Sequence, residues 1–408
     1  MIHKNLFIFY FIIFFANCCF SQKPLTTEEK IADFEYLYQE LKASYPYFGI
    51  NKRAFKTDWL AKKSEYIETI KKTKNDTEFF KFFSDMMNDL NNGHTDAYPT
   101  IIYSYFYDAY KQGASQDSTY SIYVKELEKT NAKRSKYWKD INHKLFFADE
   151  NDEETDGNSS ETTTNETLQN VDMKFIDSLS TAVIHVKSFS YDLMEQDADT
   201  LAYFFKKAQF KKNIVIDIQG NDGGSTTYWM EYMLPYLVKD TLKTPVVYAF
   251  KNSERLQKFK PSYFEDTVGY DAINLPNMPK ELSDGSYSFR KETMNIVPND
   301  ETVKYSGKVY LLVDNAVFSS SETLAFFCKA TGFATVVGEK TSGDGVGTDP
   351  LLLTLPNSGI VIRFTGEMGL NPDGSANDET KTVPDIYIEA SSQKERRAKL
   401  LKHIEFKE

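Results

Sequence analysis

A serine attacks a carbonyl only when a base takes its proton and hydrogen-bond donors meet the oxygen that becomes charged. The 408-residue chain has one stretch suited to the first role. Val309-Tyr310-Leu311-Leu312-Val313-Asp314-Asn315-Ala316-Val317-Phe318-Ser319-Ser320-Ser321-Glu322-Thr323 begins as an apolar run and stops at Asp-Asn. It then passes through serines into Leu324, Ala325, Phe326 and Phe327 at helical spacing. The pattern predicts strand, sharp turn, helix. Serines at a helix N-terminus face unpaired N–H groups and the positive end of the helix dipole, which favour developing negative charge. Taken alone, Ser319 to Ser321 read more readily as plain N-caps.

The base would have to be His94, His143, His185 or His403. His143 falls in a charged middle region, His185 between valines of an apolar strand, and His403 in the charged tail. His94 follows Asn91-Asn92-Gly93 just past a helix, on a turn that suits a mobile side chain, although a lone histidine there is more often a C-cap. Gly223-Gly224, in Gln219-Gly220-Asn221-Asp222-Gly223-Gly224-Ser225, supply the donors, because only glycine lets backbone N–H groups approach a reacting carbonyl so closely.

Other chemistries lack their residues. There is no Gly-x-Ser-x-Gly elbow, no His-Glu-x-x-His helix and no Walker loop. None of the five histidines stands at metal-ligand spacing from another or from Cys328, so neither metal nor cofactor is expected. Gly343-Asp344-Gly345-Val346-Gly347 lacks the strand and helix of a dinucleotide site and reads as a flexible turn. A net charge of −11 argues against nucleic acid as a partner.

The elements that must position these residues follow from periodicity. Thr26-x-x-Glu29 is a capping box, and Ile31, Phe34, Leu37, Tyr38 and Leu41 continue a helix that should stop near Tyr45-Pro46. A second helix is predicted over 51–72. A third opens at Asn75 or Asp76, carries Phe79, Phe80, Phe82, Phe83, Met86, Met87 and Leu90, and ends with Gly93 as its C′ residue. Residues 22–95 thus read as an N-terminal helical bundle. Residues 96–174 read as a helical or irregular insert holding a disordered acidic loop at 148–170.

Strands at 182–186, 213–218, 245–250, 309–313, 334–338, 351–355 and 360–364 alternate with helices, so 175–392 forms an α/β core. Within it a polar stretch of about fifty residues, 251–299, reads as a lid or binding loop. A charged C-terminal helix fills 393–408. At the other end, a basic start, the apolar run from Leu6 to Ala16 and the small residues that follow make 1–21 a secretory signal, cleaved after Ser21. A lipid anchor at Cys18 or Cys19 is the alternative. The expected location is secreted or in the cell envelope, and Cys328 is expected in the core with no disulfide.

In order along the chain, Asn91-Asn92-Gly93-His94-Thr95, Asp217-Ile218-Gln219-Gly220-Asn221-Asp222-Gly223-Gly224, Phe318-Ser319-Ser320-Ser321-Glu322 and Val337-Gly338-Glu339-Lys340-Thr341-Ser342-Gly343 resemble the S41 peptidases. That group holds the C-terminal processing proteases, the tricorn core and the interphotoreceptor retinoid-binding repeats. Leu355-Pro356-Asn357-Ser358-Gly359-Ile360 and Val383-Pro384-Asp385-Ile386 match its closing strands, so the resemblance spans roughly 26–389.

The resemblance implies a ClpP/crotonase-like α/β core, Ser319 as nucleophile, and the N–H groups of Gly223 and Ser320 as oxyanion donors. The processing branch takes its base from a lysine twenty-five residues after the serine; Asp344 stands there, and Lys340, a turn earlier, reads as solvated. The tricorn-like branch uses a histidine after the N-terminal helices, here His94, supported by a late carboxylate, here Glu379 or else Asp378. No PDZ domain is evident between Asp96 and Lys174. The implied activity is a secreted or envelope serine endopeptidase that cleaves peptide or protein substrates through an acyl-enzyme. A catalytically inactive binding protein on the same fold is the alternative. An acyl-CoA enzyme is a third reading that the secretory signal opposes.

Overall fold

The computed structural model describes residues 23–97, 100–129 and 169–407. The predicted signal segment, Cys18, Cys19, His143 and the acidic loop up to residue 168 lie outside the described residues.

Thr26 opens α1 (Thr27–Ser44): its hydroxyl accepts from the Glu29 N–H, and the Glu29 carboxylate accepts from the Thr26 N–H. The helix ends at Tyr45, ahead of Pro46. The single helix predicted over 51–72 is instead α2 (Phe48–Ala54) and α3 (Lys63–Ile70), parted by a turn in which Lys56 has φ 61°. The break lets Trp59 bury between its neighbours, stacking on Tyr38 and donating its indole N–H to the Met86 carbonyl at 3.0 Å. Asn75 caps α4 (Asp76–Asn88), and β1 (Asp96–Ala97), α5 (Thr100–Gln116) and α6 (Ser121–Leu127) follow.

The remainder alternates: β2 (Val171–Ile176), β3 (Thr181–Val186), α7 (Met194–Ala208), β4 (Asn213–Asp217), α8 (Thr226–Tyr232), β5 (Leu242–Lys251), α9 (Glu254–Phe259), β6 (Tyr287–Ile296) and β7 (Lys308–Val313). Then come α10 (Ser320–Thr331), β8 (Thr335–Gly338), β9 (Leu351–Thr354), β10 (Val361–Phe364), β11 (Glu367–Leu370), α11 (Asn377–Thr380), β12 (Ile386–Tyr387) and α12 (Gln393–Lys407). Strands β12-β8-β7-β4-β3 pair in parallel and β2 closes that sheet antiparallel to β3.

This sheet is buried on both faces, as parallel strands require. Ile214 and Ile216 of β4, with Leu311 and Val313 of β7, pack under α7 and α10, while Val215, Tyr310 and Leu312 turn the other way onto Leu400 and Ile404 of α12. Cys328 of α10 is free and fully buried, and burial pushes its thiol up.

The stretch 251–299 is not a lid. Strand β6 pairs with β5 over ten residues, Leu242↔Ile296 to Lys251↔Tyr287, and buries Tyr287, Phe289 and Ile296. Its exposed Lys291, Thr293 and Asn295, with Arg290 and Glu292 only half-buried, give the segment a polar composition that hides a strand. The N-terminal helices share their core with these strands: one hydrophobic cluster runs from Phe34, Trp59 and Phe83 to Phe250, Leu352 and Met368. Asp33 of α1 pins that contact, accepting from the N–H groups of Asn357 and Ser358 at 2.8 and 2.7 Å. The short strand β1 adds to β10, with Asp96 opposite Arg363, and so fixes the end of α4 on the antiparallel sheet β1-β10-β9.

Candidate active site

Ser319 sits between β7 and α10 with φ 56° and ψ −125°, a backbone state that side chains other than glycine rarely hold. Strain of this kind costs about 1–3 kcal/mol and persists where surrounding packing enforces it, typically at functional sites. Ser319 makes no capping hydrogen bond, so the helix-cap reading fails for it. Its neighbours have other partners. The Ser320 hydroxyl accepts from the Trp229 indole N–H at 3.3 Å, and the Ser321 hydroxyl donates to Asn221 Oδ1 at 2.6 Å.

His94 Nε2 lies 3.1 Å from Ser319 Oγ, and its Nδ1 lies 2.7 Å from Asp344 Oδ2. A carboxylate can only accept, so Nδ1 carries the hydrogen and Nε2 is left as an acceptor aimed at the serine hydroxyl. The left-handed position after α4 is Asn91, φ 50°, and not Gly93. Gly93 is needed for closeness: a Cβ there would stand 2.6 Å from Cζ of Phe318, whose ring packs on the His94 imidazole at 4.7 Å between centroids. Of the other histidines, His185 lies in β3 with Nε2 3.3 Å from the Gln219 carbonyl oxygen, and His403 lies in α12.

The carboxylate on His94 is Asp344, and the expected Glu379 is elsewhere. Glu379 pairs with the Arg53 guanidinium at 2.6 Å, and Arg53 also holds Glu281 at 3.0 Å, which clamps α2 to α11 and to the segment before β6. Asp378 is buried, and burial together with the nearby Asp344 carboxylate pushes its pKa well above the usual carboxylate range.

The loop that carries Asp344 is no flexible turn. The Gly343 carbonyl accepts from the Ser319 N–H at 3.4 Å, and the Gly345 N–H donates to Asn377 Oδ1 at 3.2 Å. Thr348 donates its N–H to Glu367 Oε1 at 2.8 Å, and Glu367 forms a buried ion pair with Lys260 at 2.8 Å. Asp344 was legible in one respect: an acid stands twenty-five residues after the serine in a glycine-rich loop, where a processing-type enzyme would place its base. Lys340 is exposed.

The double glycine lies against the serine, since a Cβ on Gly223 would come within 2.9 Å of Ser319 Cβ and 3.0 Å of the Ser320 nitrogen. The Gly223 N–H, expected as an oxyanion donor, is taken by Asn221 Oδ1 at 3.0 Å. Among the described residues, the Ser320 N–H and the Gly224 N–H, the latter two bonds from Gly223 Cα, have no hydrogen-bond partner. Also among the described residues, no group of three or more His, Cys, Asp and Glu side chains could hold a metal ion.

Comparison with known proteins joins this geometry to a family. The model of peptidase family S41 matches residues 180–388, just over half of the chain. The chain belongs to peptidase family S41. As an S41 member it is a serine peptidase, and its core has the ClpP/crotonase-like fold. The matched span holds Ser319, Gly223, Gly224 and Asp344 but not His94, whose place in the site rests on its distances alone.

A candidate peptidase from Parabacteroides merdae superposes with a TM-score of 0.56 at 17% identity, over 91% of this chain and 96% of that one. Mature CPAF superposes with a TM-score of 0.58 at 12% identity, over 92% and 96%. At these identities the likeness to each is one of fold. None of the curated proteins compared with the S41 chain matches it.

Proposed function

We propose that this S41 chain is an endopeptidase that works through an acyl-enzyme, with Ser319 as nucleophile, His94 as base and Asp344 as the carboxylate that orients it. The observation that carries the reading is the imidazole itself, 3.1 Å from the Ser319 hydroxyl on one side and 2.7 Å from Asp344 on the other.

Ser319 Oγ bonds to the substrate carbonyl carbon as its proton passes to His94 Nε2. The carbonyl oxygen becomes an oxyanion held by the N–H groups of Ser320 and Gly224, helped by the N-terminal dipole of α10. His94 then protonates the leaving amine as the C–N bond breaks. A water, deprotonated by the same nitrogen, releases the acid and restores the serine. The Asp344 carboxylate holds Nδ1–H throughout, which stabilises the imidazolium.

Residues 1–21 support export to the envelope or beyond, with Cys18 or Cys19 as the site of any lipid anchor, so the substrate is a peptide or protein met outside the cytoplasm.

Labelling by a serine-directed fluorophosphonate tests the chemistry. The wild-type chain should be modified at Ser319 and the Ser319→Ala chain should not. A binding protein on this fold would leave both unmodified, and that result would end the peptidase reading.

A further inference from the structure

Between the bundle side and the sheet side of the site, one amide side chain joins the base to its carboxylate. Asn92 Nδ2 donates to Asp344 Oδ2 at 3.0 Å, the same oxygen that takes the His94 Nδ1 hydrogen. Its Oδ1 accepts from the His94 backbone N–H at 3.2 Å, the Thr95 hydroxyl at 2.7 Å and the Thr365 hydroxyl at 3.1 Å. Three donors on one end and a carboxylate on the other fix which way the amide points. The same amide also meets the carboxyl of Asp378. Asn92 is 9% exposed, so these bonds are screened little by water.

We infer that Asn92 is a positioning residue for the peptidase reaction: it sets the Asp344 carboxylate and the His94 backbone in one register, so that imidazole and serine are aligned before substrate arrives. The inference rests on the Ser319, His94 and Asp344 reading. The physical need is plain. Asp344 approaches from a loop 250 residues away in the chain, with its backbone at φ 55°, and a single hydrogen bond from His94 would leave its carboxylate free to turn about that contact. A second donor on Oδ2 removes that freedom, and linking the donor to the His94 N–H makes base and carboxylate move together. Asn92 touches neither substrate nor the reacting hydroxyl, so its effect should fall on the rate of acylation and not on binding.

The test uses the full chain with p-nitrophenyl acetate, following the p-nitrophenol burst to separate the acylation rate constant from the binding constant. Asn92→Asp keeps the three accepting bonds and replaces the donor facing Asp344 by an acceptor; Asn92→Ala removes both ends. Each should lower the acylation rate by roughly ten- to a hundredfold with the binding constant unchanged, an effect of the size seen when the hydrogen-bond partner that orients a metal-bound histidine or carboxylate is lost. The downfield proton resonance of His94 Nδ1–H, identified by its absence from His94→Ala, should shift or broaden in Asn92→Asp. Acylation within twofold of wild type in Asn92→Asp, or a change confined to the binding constant, overturns the role of Asn92 while leaving the triad in place. A burst equal in wild type and Ser319→Ala overturns the triad, and Asn92 with it.

Discussion

His94 and Ser319 stand 225 residues apart in the chain and 3.1 Å apart in space, and the imidazole reaches the serine from a turn held by α4 and β1 and not from the parallel sheet. Base and nucleophile therefore belong to different layers of the molecule, and what seats one layer on the other sets the reaction geometry.

Gly93 is one such seat. Gly93→Ala puts a methyl group 2.6 Å from the Phe318 ring, which must then leave the face of His94. Overpacking of this kind costs about 1–3 kcal/mol. The acylation rate should fall roughly ten- to a hundredfold, as expected for a displaced base. Burst kinetics and thermal melting measure the two effects, and an unchanged burst would mean that the ring contact does not hold the imidazole.

Strain at Ser319 predicts a trade of stability for activity. Ser319→Gly relieves the positive φ, whereas Ser319→Ala keeps it. Both should be inactive, and the glycine chain should be more stable than the alanine chain by about 1 kcal/mol, the strain gain less the entropy glycine loses. Denaturant unfolding of the two variants measures the difference, and equal stability would mean the turn is not strained.

Much of this was readable from residue types and some was not. The nucleophile turn, the parallel strands and the capped helices announce themselves through short-range patterns: the apolar period of β4 and β7, the box at Thr26 and Glu29, the double glycine beside a strand end. Asp344 and Glu379 differ in a property that no local pattern carries, namely which carboxylate a distant loop brings to the imidazole. Arg53, on a helix of the other layer, claims Glu379. Likewise β6 hides because its exposed face is polar, and the helix expected over 51–72 breaks because Trp59 buries where tertiary packing outweighs periodicity. Gly93 was singled out for the wrong reason, as a left-handed cap and not as the space a phenyl ring occupies.

Asp378 carries a pH signature. Burial and the Asp344 carboxylate raise its pKa in the fold, so the native chain keeps a proton that the unfolded chain releases near about 3.9. A carboxyl with a raised folded pKa contributes most at low pH, and that contribution is lost as pH rises above the unfolded value. Asp378→Asn removes the dependence. Its melting temperature relative to wild type should therefore climb from about pH 4 toward neutrality; a difference flat with pH would mean Asp378 is ionised in the fold.

Glu379→Gln breaks a partly exposed pair with Arg53, with side chains 24% and 42% accessible, and should change stability by less than about 1 kcal/mol. Denaturant midpoints check this, and a loss of several kcal/mol would show that the clamp between α2 and α11 holds the layers together.

The most direct test of the whole account is the rate of fluorophosphonate labelling of Ser319 in two isosteric variants side by side, Asp344→Asn and Glu379→Gln. With Asp344 holding the imidazole, Asp344→Asn should slow labelling by roughly a thousandfold or more, because the wrong tautomer is favoured, and Glu379→Gln should label within about twofold of wild type. Normal labelling of Asp344→Asn with slow labelling of Glu379→Gln would contradict the assignment.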